Sequence, residues 1–93
     1  MAKYKKLLRR DQEVGTQIVT QRVQSSWINS IGLATVNNDR IVLTVEFKSG
    51  TKIGYTFTRD EQAVDWWDEW VTAASKGQWL HKMFYNHPYI YLT

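Results

Sequence analysis

Two alternating segments of the chain decide its fold: RIVLTVEF at residues 40–47 and TKIGYTF at residues 51–57. Successive side chains of a strand point to opposite faces, so this period predicts two strands that share one apolar face. That face would hold Ile41, Leu43, Val45, Phe47, Ile53, Tyr55 and Phe57, while Val42, Thr44 and Glu46 would occupy the other face. Ser49-Gly50 between the segments is typical of a turn, so we expect an antiparallel hairpin.

The sequence before this hairpin indicates two further strands. Residues 28–36 are mostly apolar, with Gly32 as an interruption, and Asn37-Asn38-Asp39 after them has turn chemistry. Residues 15–24 alternate weakly, which also favours a strand. A sheet of at least three antiparallel strands with one apolar side needs a covering layer.

A helix after the hairpin would supply this layer. Thr58 and Glu61 are spaced as a capping box, with Thr58 as the N-cap. The apolar stripe at helical spacing consists of Ala63, Val64, Trp67, Trp70, Val71 and Ala74. We therefore predict a helix from Asp60 to Ala74, with Gly77 as its natural stop.

A second, shorter helix is predicted from Gln78 to Asn86. It would bury Trp79, Leu80, Met83 and Phe84. Pro88 would end it, and Tyr89-Ile90-Tyr91-Leu92 would close the chain as an extended tail. The predicted fold is α+β, an antiparallel sheet of at least three strands covered by one longer and one shorter helix.

The 93 residues correspond to one domain preceded by a basic segment. We divide the chain into a basic N-terminal arm with the weak strand, residues 1–24, and an α+β domain, residues 25–93. Five basic residues lie within the first ten positions: Lys3, Lys5, Lys6, Arg9 and Arg10. The other seven of the twelve basic residues face nine acidic ones, which leaves the rest of the chain at −2. The positive net charge therefore belongs to the arm.

The composition excludes several classes of site. The chain has no cysteine, which excludes disulfides, zinc–thiolate sites and thiol nucleophiles. A small domain without disulfides is most at home in a reducing compartment, so we expect a cytoplasmic protein. No run approaches the roughly 20 apolar residues that cross a bilayer, and the charged start lacks the apolar segment of a signal peptide. We therefore expect no membrane partner.

Few side chains are available for catalysis. His81 and His87 have no cysteine to support them, and we interpret them as surface or packed histidines. Asp65, Asp68 and Glu69 are spaced to converge on one helix face, which we interpret as a solvated acidic face. No phosphate-binding glycine-rich loop and no nucleophile elbow occurs. We expect no enzymatic activity, no metal site and no cofactor.

A set of short motifs runs through residues 25–91. They are Ser25-Ser26-x-Ile28-x-x-Ile31-Gly32, Val45-x-Phe47-x-x-Gly50, Tyr55-x-Phe57, Ala74-Ser75-Lys76-Gly77-x-Trp79 and Tyr89-x-Tyr91. On these motifs the segment resembles the KTSC domain, a short module found alone in bacteria and phages and at the C-terminus of some lysyl-tRNA synthetases. His81 stands where an asparagine is common in the family, and the usual Val-Pro before the helix is missing. The family has no settled activity, and its attachment to a synthetase implies RNA binding.

The basic arm is the main candidate for binding. Its cations could neutralise several phosphates, and Tyr4, together with an exposed Trp27 or Trp66, could stack on unpaired bases. Lys76 could add an anion contact, although its turn is equally a helix stop and restart. The predicted nucleic-acid-binding residues are Lys3, Tyr4, Lys5, Lys6, Arg9, Arg10 and Lys76. We expect RNA rather than DNA as the partner, while a solubilising tail or a ligand for an acidic protein groove stays open as the role of the arm.

A protein-interaction module is the alternative function. Trp66 lies off the predicted apolar stripe of its helix, among Asp65, Asp68 and Glu69. An exposed tryptophan among carboxylates could bind a basic surface on a host protein. By analogy with isolated KTSC domains, such a module would be a phage- or bacterium-encoded inhibitor. The sequence leaves the oligomeric state and the identity of either partner open.

Overall fold

The structure is a computed structural model of the chain that describes residues 14–36 and 40–92. This part consists of one five-stranded antiparallel sheet and two helices. In chain order the elements are β1 (Val14–Arg22), β2 (Ile28–Val36), β3 (Arg40–Phe47), β4 (Lys52–Thr56), α1 (Asp60–Thr72), α2 (Lys76–Met83) and β5 (Tyr89–Tyr91). The predicted α+β class is confirmed, with one longer and one shorter helix. The predicted turn at residues 37–39 lies outside the described residues.

The strands lie in the sheet in the same order as in the chain. Strands β2 and β3 have the predicted bounds, and the weakly alternating segment forms the edge strand β1. The predicted extended tail forms β5, which pairs with β4 as the other edge. The register places Ile31 opposite Val45 and Leu43 opposite Tyr55. These pairs belong to the apolar face that the sequence predicts.

Trp70 of α1 lies at the centre of the core on this face. Its side chain is 0% exposed. The rings of Trp70 and Trp79 are stacked, with centroids 5.4 Å apart. The Trp70 Nε1–H donates a hydrogen bond to the carbonyl oxygen of Lys76 at 3.1 Å, which satisfies the one polar atom that the indole brings into the core. Trp70 therefore connects α1 to the core on the apolar face of the sheet and to the first turn of α2.

The opposite face of the sheet also carries a small apolar cluster, which the sequence does not predict. Its buried members are Ala34, Val36, Val42 and Leu92, with Ile90 packed against them. Gly54 permits this packing, because a Cβ at that position would lie 3.2 Å from Val42 Cγ2 and 3.3 Å from Leu92 Cδ1. Leu92 reaches the cluster only because the tail pairs with β4 as a strand, and the pattern of a single strand does not show that pairing.

The start of α1 differs from the prediction. The N-cap is Arg59, with φ −137° and ψ 138°, and no side chain caps the helix. The capping box of Thr58 and Glu61 is therefore wrong, since Thr58 lies one residue too early for it. Asp60 instead accepts a hydrogen bond from the backbone N–H of Ile41 at 3.4 Å. Two carboxylates in the first turn still favour the helix dipole.

The apolar stripe of α1 is rotated relative to the prediction. Ala63 and Trp70 are buried, and the partly buried side chains packed against the core are Trp66, Trp67 and Val71. Val64, which the prediction placed in the stripe, is 40% exposed. Ala74 lies beyond the helix, which ends at Thr72. Trp66 takes the inward position because its ring packs against those of Phe57, Trp79 and Phe84, and helical spacing alone does not fix that choice.

The second helix starts earlier and ends earlier than predicted. It begins at Lys76, so Gly77 lies in its first turn and is not a helix stop, contrary to the prediction. Ser75 is the N-cap, in agreement with the restart interpretation of this turn. The helix ends at Met83, and Phe84 behind it packs its ring on Tyr55 with centroids 3.8 Å apart.

Tyr55 provides a test of this packing at alkaline pH. Burial of the phenol, followed by the nearby Tyr89, raises the pKa of Tyr55 from 10.0 to about 12. The folded state therefore favours the neutral phenol of Tyr55. The contribution of this phenol to stability is complete below the unfolded-state pKa and is lost as the pH rises through the folded-state pKa. The relevant window is the pH range between the unfolded-state and the folded-state pKa of Tyr55. From a pH below this window to a pH above it, we expect the free energy of unfolding to fall by about 1–2 kcal/mol more in the native chain than in Tyr55→Phe.

Urea denaturation of both chains across the window measures this difference. Tyr85→Phe, which removes an exposed hydroxyl, is the control and should lose as much stability as the native chain. Equal losses in the native chain and Tyr55→Phe would contradict the effect assigned to burial.

Candidate functional site

A groove of about 870 Å³ lies between the β1–β2 connection and the start of α2. Residues 21–27 form its first wall. The second wall consists of residues 74–78 together with His81 and Lys82. Its size falls within the range of about 300–1,000 Å³ that is common for small-molecule pockets. We refer to this feature as the groove.

The first wall is fixed by a serine. Ser25 Oγ accepts hydrogen bonds from the backbone N–H groups of Trp27 and Ile28, both at 3.2 Å. The carbonyl oxygen of Trp27 accepts from the backbone N–H of Lys48 at 2.9 Å, which ties the loop to the end of β3. Ile28 is fully buried, so the loop enters the core directly after Trp27. The backbone of Trp27 is therefore held on both sides.

The second wall is fixed by a second serine and by the core. Ser75 Oγ accepts from the backbone N–H of Gln78 at 3.2 Å. The Lys76 carbonyl oxygen accepts from Trp70 Nε1, and Lys76 Nζ donates to the Ala73 carbonyl oxygen at 2.9 Å. The turn between the helices is thereby bound to the buried tryptophan of α1, and the groove inherits its shape from the core.

The two walls meet where the indole of Trp27 packs on Gly77. A Cβ at Gly77 would lie 3.0 Å from Trp27 Nε1 and 3.2 Å from Cζ2. The ring of Phe47 stacks on the indole, with centroids 5.7 Å apart and an angle of 14° between the planes. Trp27 is nevertheless 41% exposed. A large aromatic surface is therefore held in place at the groove and still faces solvent.

The groove carries positive charge without compensation. Arg22, Lys76 and Lys82 line it together with His81. Of the lining residues that the structure describes, none is acidic. Lys76 Nζ already donates a hydrogen bond to the carbonyl oxygen of Ala73, whereas the side chains of Arg22 and Lys82 are exposed. An anion at the groove would thus meet cations from both walls.

Negative charge is concentrated elsewhere in the described part of the chain. Five exposed carboxylates lie on α1: Asp60, Glu61, Asp65, Asp68 and Glu69. None of them lines the groove. Among the described residues the charge is therefore distributed unevenly: five carboxylates lie on α1, and three of the seven cations line the groove.

The structure places the predicted binding residues as follows. The predicted arm contacts Lys3, Tyr4, Lys5, Lys6, Arg9 and Arg10 lie outside the described residues. Lys76 lies in the groove, although its ammonium group is already hydrogen-bonded. Asp65, Asp68 and Glu69 are exposed on α1, as an acidic face requires. Their proposed use in protein binding stays a prediction.

Trp66 does not lie where the sequence analysis placed it. The side chain packs against the core, with its ring 5.3 Å from that of Phe57 and 5.4 Å from that of Phe84, centroid to centroid. The prediction that it lies off the apolar stripe as an exposed anchor is wrong. The tryptophan that the fold leaves exposed is Trp27, which lies beside the cations of the groove.

The two histidines have separate environments. His87 Nε2 lies 2.7 Å from the carbonyl oxygen of Thr56, and its ring packs against Phe57 and Trp66. His81 is exposed, lines the groove and has its ring 6.0 Å from that of Tyr85. Within residues 14–36 and 40–92, no three His, Asp or Glu side chains are grouped so that they could hold a metal ion.

The sequence also predicts that no segment of the chain crosses a membrane. None of the helices in the described ranges is long and apolar enough to cross a membrane.

Sequence reasoning missed two cations of the groove, Arg22 and Lys82. Arg22 ends a weak strand and Lys82 lies on a short helix, and no local pattern relates them. The sequence predicts Trp27 as a candidate stacking residue, but it does not predict that the indole packs on Gly77. An available signal for the two walls was a serine near the start of each following element: Ser25 lies three residues before β2, and Ser75 lies directly before α2.

No family model matches the chain, and no curated protein matches it. The resemblance to KTSC domains therefore rests on the motifs alone. Two of these motifs converge in space, because Ser25-Ser26 lies on the first wall of the groove and Ser75-Lys76-Gly77 on the second. Two of the five motifs that carry the resemblance thus border the same surface.

Ser25 provides a test of how the groove is built. Ser25→Ala removes the acceptor for two backbone N–H groups, so we expect a loss of about 1 kcal/mol in the free energy of unfolding and faster amide exchange at Trp27. Urea denaturation and hydrogen exchange measure the two effects. Ser26→Ala, at an exposed neighbour, is the control and should change neither. An unchanged exchange rate at Trp27 in Ser25→Ala would count against this construction.

Proposed function

We propose that this chain is a non-enzymatic accessory module that binds RNA through the groove and the basic arm. The observation that supports it most is the groove itself, where an exposed tryptophan lies beside cations and no described lining residue is acidic. Cations bind phosphates, and an aromatic ring stacks on an unpaired base of any sequence. Both chemistries therefore meet at one surface.

The separation of charge supports an oriented encounter with a polyanion. The carboxylates of α1 repel phosphates, while the groove attracts them. A nucleic acid therefore approaches the molecule with the groove towards it. The same arrangement disfavours binding along α1, where a phosphate backbone would meet Asp65 and Asp68.

The arm adds a second set of cations to the same binding mode. The arm residues 1–10 precede β1 in the chain, and Arg22 at the end of β1 lines the groove. In this proposal one RNA strand contacts both. The arm then contributes affinity without sequence readout, since phosphate contacts position a nucleic acid but do not identify it.

Two further points favour RNA over the protein-interaction alternative. The alternative required an exposed Trp66, and that side chain packs against the core. We also propose that this chain belongs to the KTSC family. The association of that family with a synthetase implies RNA binding. The exposed carboxylates of α1 remain available for a basic protein, so the alternative is kept as an outcome of the tests below.

A salt series tests RNA binding directly. Fluorescence anisotropy with labelled tRNA and single-stranded RNA should show an affinity whose log–log salt slope falls by about 0.7 for each lost phosphate contact. Arg22→Ala and Lys82→Ala should each flatten the slope by this amount, and a chain without residues 1–10 should flatten it by up to about 3.5. Arg59→Ala removes an exposed cation outside the groove and is the control. Absence of binding at low salt would refute the proposal.

Reversing the charge of α1 separates the two candidate functions. In Asp65→Lys/Asp68→Lys the exposed carboxylates become cations, so RNA binding should be unchanged or tighter in the same anisotropy assay. Binding of a basic protein partner, measured by pull-down with a cationic bait, should be lost if the alternative holds. Weaker RNA binding by this folded variant would contradict the orientation proposed here.

A further inference from the structure

We infer that the groove binds an unpaired nucleotide, with the base stacked on Trp27 and the adjoining phosphate between Arg22 and Lys82. This inference rests on the proposed RNA-binding function and names the form of RNA that the groove accepts. It assigns a stacking role to Trp27 and predicts discrimination between single-stranded and duplex RNA.

Trp27 presents a fixed surface for stacking. Phe47 stacks on the indole, and Gly77 packs against its Nε1 edge. The exposed part of Trp27 is therefore the part of the ring that these two residues leave uncovered. The backbone is held through Ser25 and Lys48. A ring that is already oriented loses little conformational entropy when a base stacks on it, which favours binding.

Core packing does not explain the exposed part of Trp27. The other four tryptophans are buried or half-buried in the aromatic core around Trp70, whereas Trp27 is the one with 41% of its side chain exposed. The cost of exposing an indole is offset when the ring has a partner in the bound state. The described side chains around the ring offer cations and amides but no carboxylate, which favours a partner that carries an anionic group.

The geometry of nucleic acids restricts that partner further. In a duplex the faces of the bases are covered by their neighbours, and only their edges are accessible in the grooves. A base can stack on a protein ring when it is unpaired and can leave the stack. Gln21, Gln24 and Gln78 also line the groove, and their amides can donate to or accept from the edge of any base. We therefore expect a preference for single strands with little preference for sequence.

The test compares a single-stranded RNA with a duplex of the same sequence by fluorescence anisotropy, using the full chain. Trp27→Ala should weaken single-strand binding roughly 5- to 150-fold, the range for loss of one base–aromatic stack, and should leave duplex binding unchanged. Because stacking is not an ionic contact, the salt slope should stay the same in this variant, in contrast to Arg22→Ala. Trp27→Phe should recover part of the affinity.

Two further variants guard against trivial effects. Gly77→Ala keeps the indole but displaces it, since the added Cβ would lie 3.0 Å from Trp27 Nε1, and it should also weaken single-strand binding. Tyr91→Ala removes an exposed aromatic ring outside the groove and should have no effect. Circular dichroism on each variant confirms that the fold is retained, and Gly77→Ala decides the matter if Trp27→Ala does not fold.

The outcomes separate the two proposals. If the native chain binds neither RNA at low salt, the RNA-binding function itself is overturned. If it binds both RNAs equally and neither Trp27→Ala nor Gly77→Ala matters, RNA binding stands and the unpaired-nucleotide inference is overturned. Equal weakening of single-strand and duplex binding by Trp27→Ala would overturn the inference as well.

Discussion

The burial of Trp70 is the interaction on which the rest of the structure depends. A 93-residue domain has a thin core, and one fully buried indole with its aromatic neighbours fills a large part of it. Burying an indole requires a partner for its N–H, and the partner is the Lys76 carbonyl oxygen. Together with the Ser75 cap and the hydrogen bond from Lys76 Nζ to Ala73, this hydrogen bond fixes the turn between the helices and with it the second wall of the groove. The first wall contacts the second where Trp27 packs on Gly77.

The candidate site is therefore a consequence of core packing and not a separate loop feature. Ser25 and Ser75 each satisfy backbone N–H groups that the two turns would otherwise leave without partners. Glycine at position 77 serves close packing: its φ is not in the left-handed region, and what it provides is the space that the indole occupies. A glycine that follows a helical pattern is typical of a helix stop, so the local pattern alone predicts the wrong role for Gly77. Charge then completes the site, since cations on both walls meet at a place where the described residues offer no carboxylate.

Much of the fold could be predicted, and the errors have a common cause. Strands β2 and β3 were placed correctly because the period of two for apolar residues is a direct result of strand geometry. The errors concern choices between locally equivalent options: Thr58 or Arg59 as the N-cap of α1, and Val64 or Trp66 in its stripe. The local sequence permits either residue of each pair, and for the stripe the packing of Phe57 and Phe84 around Trp66 decides in favour of Trp66. Of the site, Lys76 and an exposed Trp27 were considered from sequence, whereas Arg22 and Lys82 were not.

The sequence by itself determined the α+β class, the apolar face of the central hairpin, the two helices and the basic character of residues 1–10. These features depend on periodicity and composition, which neighbouring residues define. Only the tertiary structure decided that the tail forms β5, that Trp66 packs inward while Trp27 stays exposed, and that Arg22 and Lys82 line one groove. Each of these depends on contacts between segments far apart in the chain. Such contacts form only when the whole core closes around Trp70, and no local pattern encodes them.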